Sequence, residues 1–326
     1  MNANGTSQTN LTILQGNRFP SWGGLPNTAP TITAAVGVTR ARDAGASNSS
    51  IASVNDAEDA ENTLSVTVNG SSSATSNGVT ISGIAVDSSG NATANIAATC
   101  GANNASFTLR VTDSGALFAE AILNVAVTAE TISPMISLPS NIVTNLPLNS
   151  TDTGKIVNFT ISATDNCDAN PTIAAVPAPG SAFAVGITTV NVTATDASGN
   201  MATGSFTVTV LYNFAGFFQP VDNLPTVNTV NAGQAIPVKF SLSGSKGLNI
   251  FAAGFPASQQ IACATGLPVS PVEETVTAGS SSLSYDAGTD RYIYVWKTAK
   301  AWKGTCRQLI VKLNDGSLHV AKFQFK

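Results

Sequence analysis

The chain predicts an all-β fold built as three tandem β-sandwich domains, and three observations lead there. Apolar residues alternate with polar ones in short runs almost throughout, no apolar stripe persists at helical spacing over three or four turns, and Gly, Asn and Ser clusters separate the runs. The length fits: 326 residues give about two domains of ordinary size, or three small β modules. Composition agrees, since only 10% of residues are charged, against about 25% in ordinary soluble proteins, while 43% are apolar and the net charge is −4. Such a chain is neither a disordered acidic nor a disordered basic polymer. No apolar run approaches the roughly 18 residues of a membrane-spanning helix.

In the first block, 29–130, strands are expected at 31–36, 64–68, 79–86, 92–97, 107–112 and 119–127. Phe107, Leu109 and Val111 alternate with Thr108 and Arg110, so one face looks inward and the other meets water. The second block, 131–211, repeats the design with strands at 156–161, 189–195 and 205–210. Its last hairpin overlays that of the first block: Asp113 to Val127 and Asp196 to Val210 both span 14 positions. Two copies of one module are the simplest account. The third block, 212–326, differs in composition, with 14 of the 21 aromatic residues and 10 of the 15 Lys and Arg but 6 of the 19 acids. It closes on a hairpin, Leu309–Leu313 and Leu318–Phe325 around Asn314-Asp315-Gly316.

Residues 1–28 read as a polar N-terminal arm, without the charged head and apolar stretch of a signal peptide, so a signal was cut away or never present. The β-prone segment Leu11, Thr12, Ile13, Leu14 suggests addition of a strand to the open edge of another copy, or else a frayed leader.

The four cysteines form no C-x-x-C pair and only His319 accompanies them, which argues against a zinc site. Cys263 and Cys306 fall within one block and are the expected disulfide, stabilising it by about 4 kcal/mol in the chain-entropy model and favouring an oxidising compartment. Cys100 and Cys167 read as solitary buried thiols, with a bond between neighbouring domains as the other possibility.

Two resemblances sharpen this picture. The second block resembles the HYR (hyalin-repeat) domain, an immunoglobulin-like module of extracellular proteins. Asp165-Asn166-Cys167 carries the likeness, as does the string from Phe183 through Gly186, Thr188, Val190, Val192 and Asp196 to Gly199-Asn200. It departs from that pattern at Ala184, where Pro is common, and lacks the family's other cysteines, so the family's disulfides are not carried over. The third block resembles the PxKF domain of secreted bacterial proteins. The matching strings are Phe217-Phe218-Gln219-Pro220-Val221-Asp222-Asn223, Pro237-Val238-Lys239-Phe240, Tyr294-Val295-Trp296-Lys297-Thr298 and Trp302-Lys303-Gly304-Thr305-Cys306. The first block, through Val54-Asn55-Asp56-Ala57-Glu58-Asp59, is similar in general to immunoglobulin-like or cadherin-like repeats. These likenesses imply three immunoglobulin-like sandwiches and an extracellular or cell-surface location.

Catalytic chemistry is poorly marked. There is no G-x-S-x-G elbow, no P-loop, no dinucleotide fingerprint and no extended basic tract for nucleic acid. His319 lies in a strand pattern as a surface or strand-edge residue, and the adjacent Glu273 and Glu274 point to opposite faces of a strand. Calcium is the ion most compatible with the chain, because it takes oxygen ligands from loops, and Asp56, Glu58, Asp59 and Asp113 offer them. The competing account is that such aspartates cap turns through their own backbone.

Tyr292, Tyr294 and Trp296 share one strand face, with Ile293 and Val295 on the other. With the aliphatic face inward the three rings form an outer row suited to stacking on a sugar; with the rings inward they form an aromatic core. Lys297, Lys300, Lys303 and Arg307 read as a solvated basic patch. The function expected is structural or adhesive and non-catalytic. The alternatives are a carbohydrate-binding accessory region of a secreted enzyme and a filament subunit joined through the arm. Partners are accordingly other surface proteins, polysaccharide or further copies of the chain.

Overall fold

The computed structural model describes residues 26–275, 277 and 283–326. The chain divides into two compact units, Met1–Thr131 and Ile132–Lys326. The expected strand segment Leu11, Thr12, Ile13, Leu14 lies outside the described residues.

The first unit is a sandwich of two sheets. One has five strands in the order Thr31–Ala34, Ser47–Asn55, Asn91–Ala98, Val79–Val86, Ala74–Ser76, and the other has four, Val38–Ala41, Phe118–Thr128, Ala105–Thr112, Ser65–Val68. The alternation expected at 107–112 is present: Phe107, Leu109 and Val111 are buried. They meet Ile51, Ile81, Ile96 and Leu123 in a core of their own. Burying such side chains, at about 25 cal/mol per Å² of apolar surface, is what drives two half-polar sheets together. Gly90 sets the turn between two strands of the larger sheet. Its φ is +76°, and a Cβ there would lie 2.1 Å from the Val54 carbonyl oxygen, so only glycine fits.

The second unit holds two sandwiches. The first of them has a four-stranded sheet, Ile142–Asn145, Met201–Leu211, Gly186–Thr195, Thr172–Val176, and opposite it two short pairs, Met135–Ser137 with Ser162–Thr164 and Gly154–Ile156 with Ala182–Ala184. The strand expected over 156–161 stops at Ile156. Val157, Phe159 and Ile161 still turn toward the core while Asn158 and Thr160 are exposed, so the alternation survives in burial although no strand ladder accompanies it. The last sandwich has four strands, Phe217–Phe218, Ala235–Phe240, Arg291–Lys297, Ser284–Asp286, facing five, Val227–Val230, Leu318–Phe325, Cys306–Lys312, Ala257–Ile261, Glu273–Glu274.

One hydrophobic cluster runs through this unit from Leu146 and Phe206 to Tyr212, Phe240 and Phe325. At the junction Tyr212 donates its main-chain N–H to Asp315 Oδ2 at 2.7 Å and its hydroxyl to Asn314 Oδ1 at 2.8 Å. Asn213 Nδ2 donates to the Leu146 carbonyl, and Lys246 Nζ to that of Ser150. The hairpin tip Asn314-Asp315-Gly316, legible in the sequence as a turn, thus also fastens one sandwich to the next.

Candidate functional site

The acidic residues singled out in the first sandwich sit on two loops at one end of it. Asp56 Oδ1 accepts the amides of Glu58 at 2.9 Å and Asp59 at 2.7 Å. Asp59 in turn accepts the Ser114 amide at 2.7 Å and its hydroxyl at 3.0 Å, tying the two loops together. Asp113 accepts the Leu117 amide at 2.8 Å and Asn27 Nδ2 at 2.9 Å, and Glu58 accepts the Thr28 amide and hydroxyl. Most of these oxygens satisfy main-chain donors of tight turns, the role for which Asp is favoured in loops.

The second sandwich carries the same scheme. Asp165 Oδ2 accepts the amides of Cys167 and Asp168, both at 2.9 Å; Asp168 Oδ2 accepts the amide of Ala197; Asp196 Oδ1 accepts that of Asn200 at 2.8 Å. Asp56, Asp59 and Asp113-Ser114 therefore correspond to Asp165, Asp168 and Asp196-Ala197. The repeat expected from the hairpins extends to a second loop, and the shared D-x-x-D spacing was its signal.

As a calcium cage the four expected residues fall short. Among the described residues, no three of Asp56, Glu58, Asp59 and Asp113 bring ligand oxygens within 4.8 Å of one another. What the two loops share instead is one buried oxygen each, Asp56 Oδ2 and Asp165 Oδ1, without a hydrogen-bond donor among the described residues. A buried carboxylate oxygen lacking a donor is costly, and a cation is one way to satisfy it.

The aromatic strand corrects the stacking expectation. Tyr292 and Trp296 are 0% exposed and Tyr294 5%, so the rings form the core and the Ile293 face looks outward. The cause is an aromatic interior on both sides: from the opposing sheet Phe323 meets Trp296 edge-on at 5.2 Å and Phe325 at 6.0 Å, and on the neighbouring strand of the same sheet Phe240 stacks on Tyr292 at 5.5 Å. Aromatic pairs at such distances add about 0.5–1.5 kcal/mol beyond their buried area. No ring of this row is available to a sugar.

The basic patch is corrected at one position. Arg307 is 3% exposed, lies 4.1 Å over the Trp302 ring and pairs with Glu273 at 2.7 Å, so it is a brace and not a solvated charge. His319 is half-buried against Phe214, with ring centroids 3.6 Å apart, and its Nε2 lies 3.0 Å from the Ser317 hydroxyl. Burial holds its pKa below the ordinary 6.5, partly opposed by Asp315.

Cys263 and Cys306 form a disulfide with Cα atoms 5.2 Å apart. Cys100 and Cys167, read from the sequence as solitary buried thiols, are half-buried and neither is free. The solitary-thiol reading is therefore corrected.

The chain overlaps solved cadherin repeats weakly. Against the extracellular domain of protocadherin GammaB4 the TM-score is 0.28 at 14% identity, covering 91% of this chain and 51% of that one. Against human CDH23 EC21-23 it is 0.29 at 14% identity, covering 88% and 97%. Overlaps this low assign neither relationship nor function. A stretch of 125 residues is 33% identical to hyalin of Strongylocentrotus purpuratus, 38% of this chain but a tenth of hyalin's length. Residues 129–210, which include the second pair of acidic loops and the four-stranded sheet behind them, match the HYR domain family.

Proposed function

We propose that the chain is a non-catalytic structural or adhesive part of an extracellular or cell-surface protein. The observation that carries this is the HYR match over residues 129–210 together with the 33% identity to hyalin. The side chains best suited to chemistry support it: Asp59, Asp113, Asp168 and Glu273 hold loops or Arg307, and His319 stacks on Phe214. The Cys263–Cys306 bond and the resemblance of the third block to secreted PxKF domains favour an oxidising setting.

The test has two arms. Differential alkylation of protein taken from its native source should find no reducible-free thiol at Cys263 or Cys306, and beads coated with the chain should clump with one another or hold to a surface. Fully reduced cysteines in the native protein would refute the extracellular setting, and dispersed, non-retained beads would refute adhesion.

A second reading is favoured by the two buried carboxylate oxygens at matching positions. Calcium binds at Asp56 Oδ2, and at Asp165 Oδ1 in the second sandwich, with ligands beyond the four expected carboxylates completing its shell. A ligand at one hundred times its dissociation constant adds about 2.7 kcal/mol, so calcium should raise the melting temperature of the first unit and chelator lower it. Identical melting in both removes this reading.

A further inference from the structure

The Gly186–Thr195 and Met201–Leu211 strands pair over ten consecutive residues with no register shift, whereas the larger sheet of the first unit is broken twice, at Ser50/Ala52 and at Ser82/Ala85. Bulges bend and twist a strand, so the unbroken ladder is the flatter surface. Its inner face is Val190, Val192, Phe206, Val208 and Val210, all buried. The outer face runs in rows across the four strands. One row is Val143, Thr209, Ile187; another is Ser205, Asn191, Val176; a third is Thr203, Thr193, Ala174. No residue in these rows, nor Thr189 and Thr207 between them, carries a charge. Ile187, Val176 and Val143 are 70%, 69% and 64% exposed.

From this face we infer a self-association surface: a second copy of the chain packs the same four-stranded face against it, sheet on sheet. Three points select a second copy. A symmetric contact sets each row against itself, which penalises charged faces and leaves a neutral one unopposed. The row hydroxyls and amides of Thr, Ser and Asn are each both donor and acceptor, so identical rows can satisfy one another. The area also suffices. Strands of ten and eleven residues flanked by strands of four and five, at about 3.3 Å per residue and about 4.8 Å between strands, present roughly 500 Å² in projection. Two such faces bury about 1,000 Å², the threshold of a specific contact and the size of a weak one. Weak contacts suit a repeated surface array, where linked copies multiply them.

The inference deepens the adhesive reading and takes its biological use from it, but it is tested separately, because sedimentation reads self-association whether or not beads adhere. Sedimentation velocity of the full chain from about 1 to about 300 µM should show a monomer–dimer shift in the micromolar range. Thr193→Arg and Thr193→Glu, on the outer face, should each fold and sediment as monomers, and an equimolar mixture should recover the dimer. A parent chain that stays monomeric at 300 µM, or variants that dimerise like the parent, would overturn it. The charge-swapped mixture guards against misfolding, since misfolded partners would not restore each other.

Discussion

Asp315 offers the most direct test of how the second unit is held together. It is 1% exposed, accepts the Tyr212 amide on Oδ2 at 2.7 Å, and on Oδ1 accepts the Ser317 amide at 2.7 Å and its hydroxyl at 2.6 Å. Replacing it with Ala leaves two main-chain N–H groups without acceptors, and a buried donor stripped of its partner costs about 1–3 kcal/mol. Some of this is recovered because an ionised carboxylate is no longer held out of water. The expected loss is about 4 kcal/mol. Asp315→Asn keeps the volume and one acceptor oxygen and should cost about 2 kcal/mol. For a unit of this size 1 kcal/mol moves the midpoint by about 2–4 °C, so Asp315→Ala should lower it by about 8–16 °C. Calorimetry of the whole chain provides its own control: the transition of Met1–Thr131, whose hydrophobic cluster is separate, should not move. A fall below about 3 °C, or equal shifts in both transitions, would show that Asp315 does not fasten the sandwiches.

Three further outcomes are expected. Replacing Cys263 and Cys306 with Ala should cost the second unit about 4 kcal/mol in a denaturant titration, since the bond closes a 43-residue separation; a change under 1 kcal/mol would contradict the loop-closure account. Gly90→Ala should destabilise the first unit by about 3 kcal/mol, the upper end of a strained φ, because the added methyl also meets the Val54 carbonyl; unchanged melting would refute the clash. His319 is depressed by burial, so the unfolded chain binds its proton first: this contribution to stability is complete above 6.5 and lost as pH falls through 6.5 toward the folded value. Melting of the second unit should therefore drop from pH 7.5 to 5.5 more in the parent than in His319→Phe, and parallel pH profiles would exclude the histidine.

Where one face of a strand is apolar and the other polar, the chain announced its structure: the 79–86 strand has the bounds that alternation gives. Ser47–Asn55 escaped because its bulge turns the consecutive Ile51 and Ala52 both inward, which destroys the two-residue period. The aromatic strand was ambiguous because both its faces are apolar, and periodicity cannot say which one is inside. A deciding signal lay one strand away. Lys239 pairs with Ile293, while Val238 and Phe240 pair with Tyr294 and Tyr292, so the face carrying the lysine must be the outer one. The acidic loops were read as a group because their residue types suit an ion. The turn-capping alternative, also readable in the sequence, accounts for the local bonds of Asp56 and Asp113, whereas the bond from the Ser114 amide to Asp59 needs the fold to bring two distant loops together.

The scarcity of charge has a structural consequence that can be measured. Many of the few charges are used as internal braces: Arg40 Nε donates to the Ile96 carbonyl, Arg42 Nε to that of Ala102 and Arg307 to Glu273, while Asp59 and Asp168 accept the amides of Ser114 and Ala197 from neighbouring loops. The outer face of the four-stranded sheet is left to hydroxyls, amides and three exposed aliphatic side chains. An association carried by that face has little Coulombic attraction to screen, whereas a charge-driven contact loses strength as the screening length falls from about 10 Å at 0.1 M salt to about 3 Å at 1 M. The dimerisation constant should therefore change by less than about twofold over that range, and hydrophobic burial predicts slight strengthening in sulfate. A tenfold loss in 1 M sodium chloride would transfer the contact to the lysines of the third sandwich, Lys297, Lys300 and Lys303, and away from the neutral sheet.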